Sequence, residues 1–338
     1  MTMPLKRVSI ARGRGGFRSE TRRQYWYDET VATRSLHGVV PALVTPFRED
    51  ERIDCSAWQV LIDMLIAAGV DGLFVCGSSG EFCTLDNEER VVALRFCKQA
   101  IARRGPMIAN VGCITTRDTV ALAQQAEAIG VDAIAVITPY YIRPSQPELA
   151  DHLVEVCRAV RMPVLAYNFP FHGGVELAPE TLTAVAARAP NLAGVKDSSG
   201  RMDLALAYRD AVTDRDFSVF TGGDQLMLAA LEAGCAGAIT AAANMAPKVF
   251  IELYRSQREQ IHGEALRLQI LAAELGEALG LHTFPSVVKE GLAMAGFPMG
   301  PCRRPVGTMP DEARRKLASL MEHLRVEGML PSIAGISA

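Results

Sequence analysis

The chain has 338 residues, of which 49% are hydrophobic and 22% charged. That apolar content excludes a disordered or low-complexity protein, because such chains cannot bury a core. The formal net charge of −3 indicates no general attraction to nucleic acid or to an acidic membrane, and no apolar run is long enough to span a bilayer. The eight cysteines form no CxxC pair, which disfavours zinc ribbons and disulfide frameworks and favours a reduced, cytoplasmic location.

The first 36 residues differ from the rest of the chain. They contain eight basic and three acidic residues, and no apolar segment of a secretory signal follows the charges. We predict a basic N-terminal extension over 1–36, attached to a catalytic body. The alternative is an arm that binds RNA or DNA, in which the Tyr25-Trp26-Tyr27 cluster would stack on bases.

From residue 37 onward, short β-branched segments alternate with segments of helical spacing. The predicted strands are at 39–44, 72–76, 107–112, 133–138, 163–167, 192–196, 218–221 and 237–240, and the predicted intervening helices at 56–68, 87–103, 117–129, 147–159, 179–189, 201–212 and 224–233. Eight apolar strands that alternate with helices predict an α/β fold, a (β/α)8 TIM barrel, over 37–259. A doubly wound sheet is the alternative, but no GxGxxG follows the first strand.

Strands are no longer predicted after residue 247. Helical patterns continue at 247–256, 260–279, 284–295 and 310–326. The first of these completes the barrel, and the others predict a C-terminal helical region over 260–338.

Active sites of such barrels lie at the C-terminal ends of the strands, where Lys196 stands out. The chain has six lysines, and the other five fall in segments where a solvated lysine is ordinary. Lys196 instead ends a strand inside the packed barrel, where desolvation favours the neutral amine that attacks a carbonyl carbon. The alternative is a structural ion pair of Lys196 with Asp197 or Glu81.

Neighbouring strands end in residues that suit the same chemistry. Tyr167 could relay protons beside a Schiff-base lysine, although a lone buried tyrosine is more often a core residue with a bonded hydroxyl. The turn 77–80 offers two hydroxyls and several N–H groups that could hold a carboxylate. No histidines are spaced as metal ligands, so we expect neither a metal nor a cofactor.

Four motifs together resemble the dihydrodipicolinate synthase / N-acetylneuraminate lyase family. They are GSSGE at 77–81, TPYYIRP at 138–144, YNFP at 167–170 and GVKDSSG at 194–200. The resemblance covers about 37–326. It implies a (β/α)8 barrel, commonly tetrameric, that handles pyruvate by class I chemistry.

The resemblance also implies a role for individual residues. Lys196 would form a Schiff base with C2 of pyruvate or another 2-oxo acid, and Tyr167 would shuttle the proton. Ser78 and Ser79 would hold the carboxylate. Ser78 would also link Tyr167 to Tyr141, which in this family reaches the site of the adjacent subunit. Gly222 and Ile239 match positions that line the pyruvate pocket.

One departure from the family pattern concerns the second substrate. Dihydrodipicolinate synthases place an arginine where this chain has His172, and that arginine grips the carboxylate of aspartate semialdehyde. A neutral imidazole cannot supply the same bidentate, permanently charged fork. The segments 68–82, 167–170 and 283–290 look more like 2-keto-3-deoxy-sugar-acid aldolases, and GPCRRP at 300–305 is similar to 4-hydroxy-2-oxoglutarate aldolases. Asp224 could receive the hydroxyls of a polyol acceptor.

We therefore expect a class I lyase that cleaves or forms a 2-keto-3-deoxy acid from pyruvate and an aldehyde. The alternatives on the same site are a dihydrodipicolinate synthase and a dehydratase of a 2-keto-3-deoxy acid. A further alternative is a non-catalytic 2-oxo acid binding protein, which would have no need of a nucleophilic lysine.

Overall fold

The computed structural model describes residues 36–331. The predicted extension 1–36 therefore lies, apart from Leu36, outside the described residues. The described residues belong to one compact unit. No helix among them is long and apolar enough to cross a membrane.

Eight parallel strands form one sheet, as predicted. They are β1 Gly38–Pro41, β2 Leu73–Val75, β3 Met107–Asn110, β4 Ala133–Ile137, β5 Val164–Asn168, β6 Leu192–Asp197, β7 Ser218–Thr221 and β8 Gly237–Thr240. Their order in the sheet is β1-β8-β7-β6-β5-β4-β3-β2. A single parallel bridge between Ala42 and Phe74 joins the two edge strands, and the N–H of Leu43 donates to the carbonyl of Phe74 over 2.9 Å. The sheet is a nearly closed (β/α)8 barrel, and the doubly wound alternative is wrong.

Helices surround the barrel at each predicted helical segment. They are α1 Cys55–Ala68, α2 Asn87–Ile101, α3 Thr116–Ile129, α4 Gln146–Ala159, the single turn α5 Pro170–Gly173, α6 Pro179–Ala186, α7 Met202–Ala211, α8 Met227–Glu232, α9 Pro247–Arg258, α10 His262–Ala278, α11 Ser286–Met294 and α12 Asp311–Val326. Local sequence explains several of the ends. Asp86 and Glu89 form a capping box at the start of α2, and Gly69 and Gly130 end α1 and α3 in the left-handed conformation.

The barrel interior is apolar except at one end. Nearly every strand residue is buried, since strands meet side chains inside the barrel and helices outside it. The buried polar residues Asn168, Lys196 and Thr240 lie in the last positions of their strands. Apart from Ser218, which begins β7, the buried polar residues of the strands therefore lie at the C-terminal mouth of the barrel.

The helices after β8 pack against the barrel. Helix α10 lies along α9 and reaches the loop that follows β7, where the Gln269 amide donates to the carbonyl of Asp224 over 2.9 Å. The N–H of Leu228 donates to the same amide group over 2.7 Å. The C-terminal helices thus support a loop at the mouth of the barrel. The predicted boundary between 259 and 260 stays a prediction.

Candidate active site

A cavity of about 280 Å³ opens at the C-terminal mouth of the barrel. Its lining combines residues from several strand ends with residues of the C-terminal region, and consists of Ala42, Ser78, Ser79, Tyr167, Phe169, His172, Lys196, Ser198, Gly222, Asp224, Ile239, Ala241, Leu279, Gly280 and Phe284. Eight of the nine residues predicted for the site are among them. The ninth, Tyr141, is not.

Lys196 is held between two aromatic rings inside the barrel. It is 4% exposed, and its Nζ lies 4.1 Å from the ring centroid of Tyr167 and 4.3 Å from that of Phe74. Burial lowers the pKa of Lys196 to about 7, from an ordinary 10.5, while the negative charge of Asp224 acts in the opposite direction. An amine with that pKa is largely available as a nucleophile near neutral pH.

The structural ion pairs considered for Lys196 are absent. Asp197 instead accepts hydrogen bonds from the amide of Asn168 and from the hydroxyl of Ser199, each over 2.8 Å. Glu81 pairs with Lys289. Among residues 36–331, none of the ion pairs within 4 Å involves Lys196, so the lysine remains directed at the cavity.

Tyr167 lies beside the lysine because β5 and β6 pair Tyr167 with Lys196 in register. Its hydroxyl is 3.2 Å from the Oγ of Ser78, and either atom could be the donor. Burial raises the pKa of Tyr167 to about 12, and hydrogen bonds with Ser78 and Ser198 partly oppose this shift. The phenol therefore stays protonated at neutral pH and can accept a proton only as it passes its own to a neighbour.

Ser78 and Ser79 lie on a tight turn that follows β2. The turn is closed by the N–H of Gly80, which donates to the carbonyl of Gly77 over 3.0 Å. It is joined to the segment after β1 by the hydroxyl of Thr45, which donates to the carbonyl of Gly80 over 2.7 Å. Both serines line the cavity. This arrangement suits the binding of a small carboxylate beside the lysine.

Asp224 follows β7 and lines the cavity. In the sheet, β6 with Lys196 lies between β7 and β5, which carries Tyr167. It is 4% exposed and accepts a hydrogen bond from the hydroxyl of Thr240. Burial raises the pKa of Asp224 to about 7, while the bond from Thr240 and the charge of Lys196 oppose that shift. Contact of Asp224 with the hydroxyls of an acceptor stays a prediction.

Gly222 and Ile239 complete the inner wall of the cavity. A Cβ atom at Gly222 would lie 2.1 Å from the Oγ of Ser198, so a side chain there would displace a cavity-lining serine. Ile239, on β8, is 1% exposed and contributes an apolar side chain to this wall.

His172 lies on α5, at the outer part of the cavity. Its ring centroid is 4.4 Å from that of Phe169 and 6.4 Å from that of Phe284. The side chain is exposed at the mouth, yet the apolar rings beside it lower the pKa of His172 from its ordinary value. The imidazole is therefore neutral near pH 7 and can form hydrogen bonds but supplies no permanent charge.

Tyr141 is the predicted site residue that the chain does not bring to its own cavity. It is 94% exposed, and its φ of +72° places the backbone in the left-handed region. Its link to Ser78 is not formed within the chain. Reaching the site of an adjacent subunit, as the resemblance implies, stays a prediction.

Sequence reasoning missed three contributors to this region. Ser198 lies within the GVKDSSG motif, directly after Asp197, but its hydroxyl was given no role. Phe284 comes from the C-terminal region, for which no contact with the site was predicted. Lys289 was expected to be solvated, and this was wrong because it is 4% exposed and paired with Glu81.

No group of three or more histidine, cysteine, aspartate or glutamate side chains within residues 36–331 is arranged to hold a metal ion. All eight cysteines are free thiols, and burial raises the pKa of most of them.

A buried lysine of lowered pKa beside a tyrosine, at the mouth of a (β/α)8 barrel, is the arrangement of a Schiff-base lyase. The chain belongs to the dihydrodipicolinate synthetase family, whose model matches residues 35–324. Members of this family are carbon–carbon lyases that act through a Schiff base, and the chain is accordingly a class I, pyruvate-dependent lyase. Tetramers are typical of the family, and a tetramer of this chain stays a prediction.

Relatives with different activities are similarly close. A 4-hydroxy-tetrahydrodipicolinate synthase of Bartonella bacilliformis is 33% identical over 288 residues, which cover 85% of this chain and 98% of that protein. The probable 2-dehydro-3-deoxy-D-pentonate aldolase YjhH of Escherichia coli is 34% identical over 303 residues, or 88% and 99% of the two chains. The crystal structure of YagE from E. coli K12 in complex with pyruvate superimposes with a TM-score of 0.83 at 32% identity, covering 86% of this chain and 98% of that one.

Proposed function

We propose that this chain is an aldolase that cleaves a 2-keto-3-deoxy acid to pyruvate and an aldehyde, or joins the two, through a Schiff base on Lys196. The observation that carries the proposal is the cavity itself. Among the described residues, it combines the buried amine of Lys196 and the hydroxyls of Ser78 and Ser79 with an outer part that is lined by no arginine.

Schiff-base formation would take place in the inner part of the cavity, which is lined by Lys196, Ser78 and Ser79. The neutral amine of Lys196 attacks C2 of the 2-oxo acid, and the carbinolamine then loses water to give an iminium. Ser78 and Ser79 would hold the substrate carboxylate during this step. Tyr167, hydrogen-bonded to Ser78 over 3.2 Å, would donate the proton that leaves with the water.

Cleavage again uses Lys196 and Tyr167, but Tyr167 now accepts a proton instead of donating one. Tyr167, left as a phenolate when its proton departs with the water, is stabilised by hydrogen bonds with Ser78 and Ser198 and takes the proton of the C4 hydroxyl. The C3–C4 bond breaks, the aldehyde leaves, and the electron pair enters the iminium to give an enamine. Protonation of C3 and hydrolysis then release pyruvate and restore Lys196.

The outer half of the cavity supports an uncharged acceptor. No arginine is among the described residues that line it, and Lys196 and His172 are its basic members. Aspartate semialdehyde carries a second carboxylate, which would enter a pocket whose imidazole is mostly neutral at pH 7 and whose Asp224 is partly charged. A hydroxyaldehyde avoids that repulsion and can hydrogen-bond with His172.

A 4-hydroxy-tetrahydrodipicolinate synthase is the second candidate, because relatives such as that of B. bacilliformis carry that name over almost their whole length. The chemistry at Lys196 would be the same in both enzymes. The acceptor therefore decides between them.

Trapping with pyruvate and cyanoborohydride tests the nucleophile. We expect one reduced pyruvyl adduct per chain, mapped by peptide mass spectrometry to Lys196. Lys196→Ala should abolish the adduct, and Lys98→Ala, which alters a partly exposed lysine paired with Asp132, should keep it. Trapping that persists in Lys196→Ala would refute the assignment.

An acceptor screen tests the substrate class. Cleavage of 2-keto-3-deoxy acids of five and six carbons should release pyruvate, measured with lactate dehydrogenase. A dehydratase would consume the same substrates without releasing pyruvate. The aldolase assignment fails if condensation with aspartate semialdehyde has a higher kcat/KM than that with every hydroxyaldehyde tested.

A further inference from the structure

A buried ion pair joins the carboxylate-binding turn to the C-terminal region. The Nζ of Lys289, on α11, lies 2.7 Å from the Oε1 of Glu81, the residue that ends the turn 77–81. The two side chains are 4% and 3% exposed. Of the ion pairs among residues 36–331, this is the only one in which both side chains are buried.

Each partner is also held by its own surroundings. Lys289 donates to the carbonyl of Pro301 over 2.8 Å, and its Nζ lies 4.4 Å from the ring centroid of Phe47. The other carboxylate oxygen of Glu81 accepts a hydrogen bond from the N–H of Arg303 over 2.9 Å. The carboxylate is therefore held at both oxygens by the C-terminal region.

The backbone of the turn depends on this anchoring. Glu81 has a φ of +54°, in the left-handed region that residues with a side chain rarely adopt. Its N–H donates to the carbonyl of Ser78 over 3.1 Å. Such a conformation persists where the surroundings impose it, and here the Glu81 carboxylate is buried, ion-paired with Lys289 and hydrogen-bonded by the N–H of Arg303. Movement of Glu81 would move Ser78 and Ser79 with it.

Helix α11 also connects to the other side of the cavity. Phe284, which lines the cavity beside His172, lies two residues before the helix begins. Lys289 thus fixes one helix relative to both the turn that faces the carboxylate and the ring that faces the acceptor.

We propose that Glu81 and Lys289 are positioning residues: their ion pair holds Ser78 and Ser79 where the carboxylate of pyruvate binds, so that the C-terminal region forms part of the substrate site. This inference rests on the proposed function. Neither residue is among those that line the cavity, so the effect of each would be exerted through the turn. Loss of the pair should therefore weaken pyruvate binding more than it slows the reaction of bound pyruvate.

The test compares Lys289→Met, Glu81→Gln and the double variant in cyanoborohydride trapping. We expect the half-saturating pyruvate concentration to rise about tenfold or more in all three, with the maximal trapping rate within about threefold of wild type. Each single variant leaves one buried charge unpaired and should lower Tm, whereas the double variant removes both charges and should recover part of it. Lys289→Arg, which keeps the charge, should raise the half-saturating pyruvate concentration less than Lys289→Met does. Glu290→Gln alters the next residue of α11, which pairs with Arg314 at the surface, and serves as the matched control.

The double variant separates positioning from general stability. If its half-saturating concentration returns to the wild-type value as Tm recovers, the pair is merely structural and the proposal is wrong. Wild-type half-saturation in the single variants would overturn it equally. A wild-type protein that pyruvate does not label would instead refute the proposed function, and this inference with it.

Discussion

The reaction of Lys196 with pyruvate should follow the titration of its amine. With a pKa of about 7, half of the chains carry a neutral Lys196 at pH 7. A solvated lysine of ordinary pKa would be neutral in only about one chain in three thousand at that pH. Burial between Tyr167 and Phe74 therefore contributes about a thousandfold to the concentration of nucleophile.

These fractions predict the shape of the pH profile. The initial rate of trapping, at fixed pyruvate, should be about a tenth of its plateau at pH 6, about half at pH 7 and about nine-tenths at pH 8. The sign follows from the direction of the shift: lowering the pKa of a lysine moves the onset of its reactivity to lower pH.

The assay is a time course of trapping with cyanoborohydride between pH 5.5 and 9.5, in which the fraction of labelled protein is measured by intact mass. Circular dichroism at each pH is the control for folding. A rate that still rises about tenfold per pH unit between pH 8 and 9.5 would show an amine of ordinary pKa and would refute the desolvation argument.

Three further variants test the other residues of the site. In Asp224→Asn the loss of negative charge should lower the pKa of Lys196 further and move the midpoint of the trapping profile to lower pH; an unmoved midpoint, as expected for the surface control Asp203→Asn, would remove the coupling. Tyr167→Phe should still form the pyruvate adduct but should slow aldol cleavage about 10²-fold or more, and unchanged turnover would contradict its role as proton relay. His172→Arg should raise kcat/KM for aspartate semialdehyde relative to hydroxyaldehydes, and an unaltered ratio would show that this position does not select the acceptor.

The sequence predicts the barrel well because the relevant signals are local. Alternation of apolar strands with helical segments depends on neighbours within about ten residues, and two strands, Ser218–Thr221 and Gly237–Thr240, have the predicted bounds. The first strand is shorter than predicted. The N–H of Ala42 makes the last hydrogen bond to β8, at Thr240, and the N–H of Leu43 already bonds to Phe74 of β2. The apolar pattern is the same on both sides of that change of partner and cannot reveal it.

The inner half of the site was predictable for a related reason. Lys196 and Tyr167 lie next to the last residues of their strands and Ser78 lies in the turn after β2, and a closed barrel brings all strand ends to one mouth. The pair of Lys289 with Glu81 was not predictable in this way. Its partners are 208 positions apart, and a lysine on a helix carries no local sign of burial.

This division has a consequence for substrate selection. The residues proposed to face pyruvate lie on strand ends, whose positions are set by the barrel ladder, and on the turn after β2, which Glu81 joins to α11. The acceptor side is formed by His172 on the single turn α5 and by the segment 279–284 that precedes α11. Loop residues can change without disturbing the ladder, whereas a shift of β5 or β6 would separate Tyr167 from Lys196. Differences in acceptor among enzymes of this family should therefore map to α5 and to the segment before α11, and exchange of these two segments between this chain and a synthase should transfer acceptor preference while leaving pyruvate trapping intact.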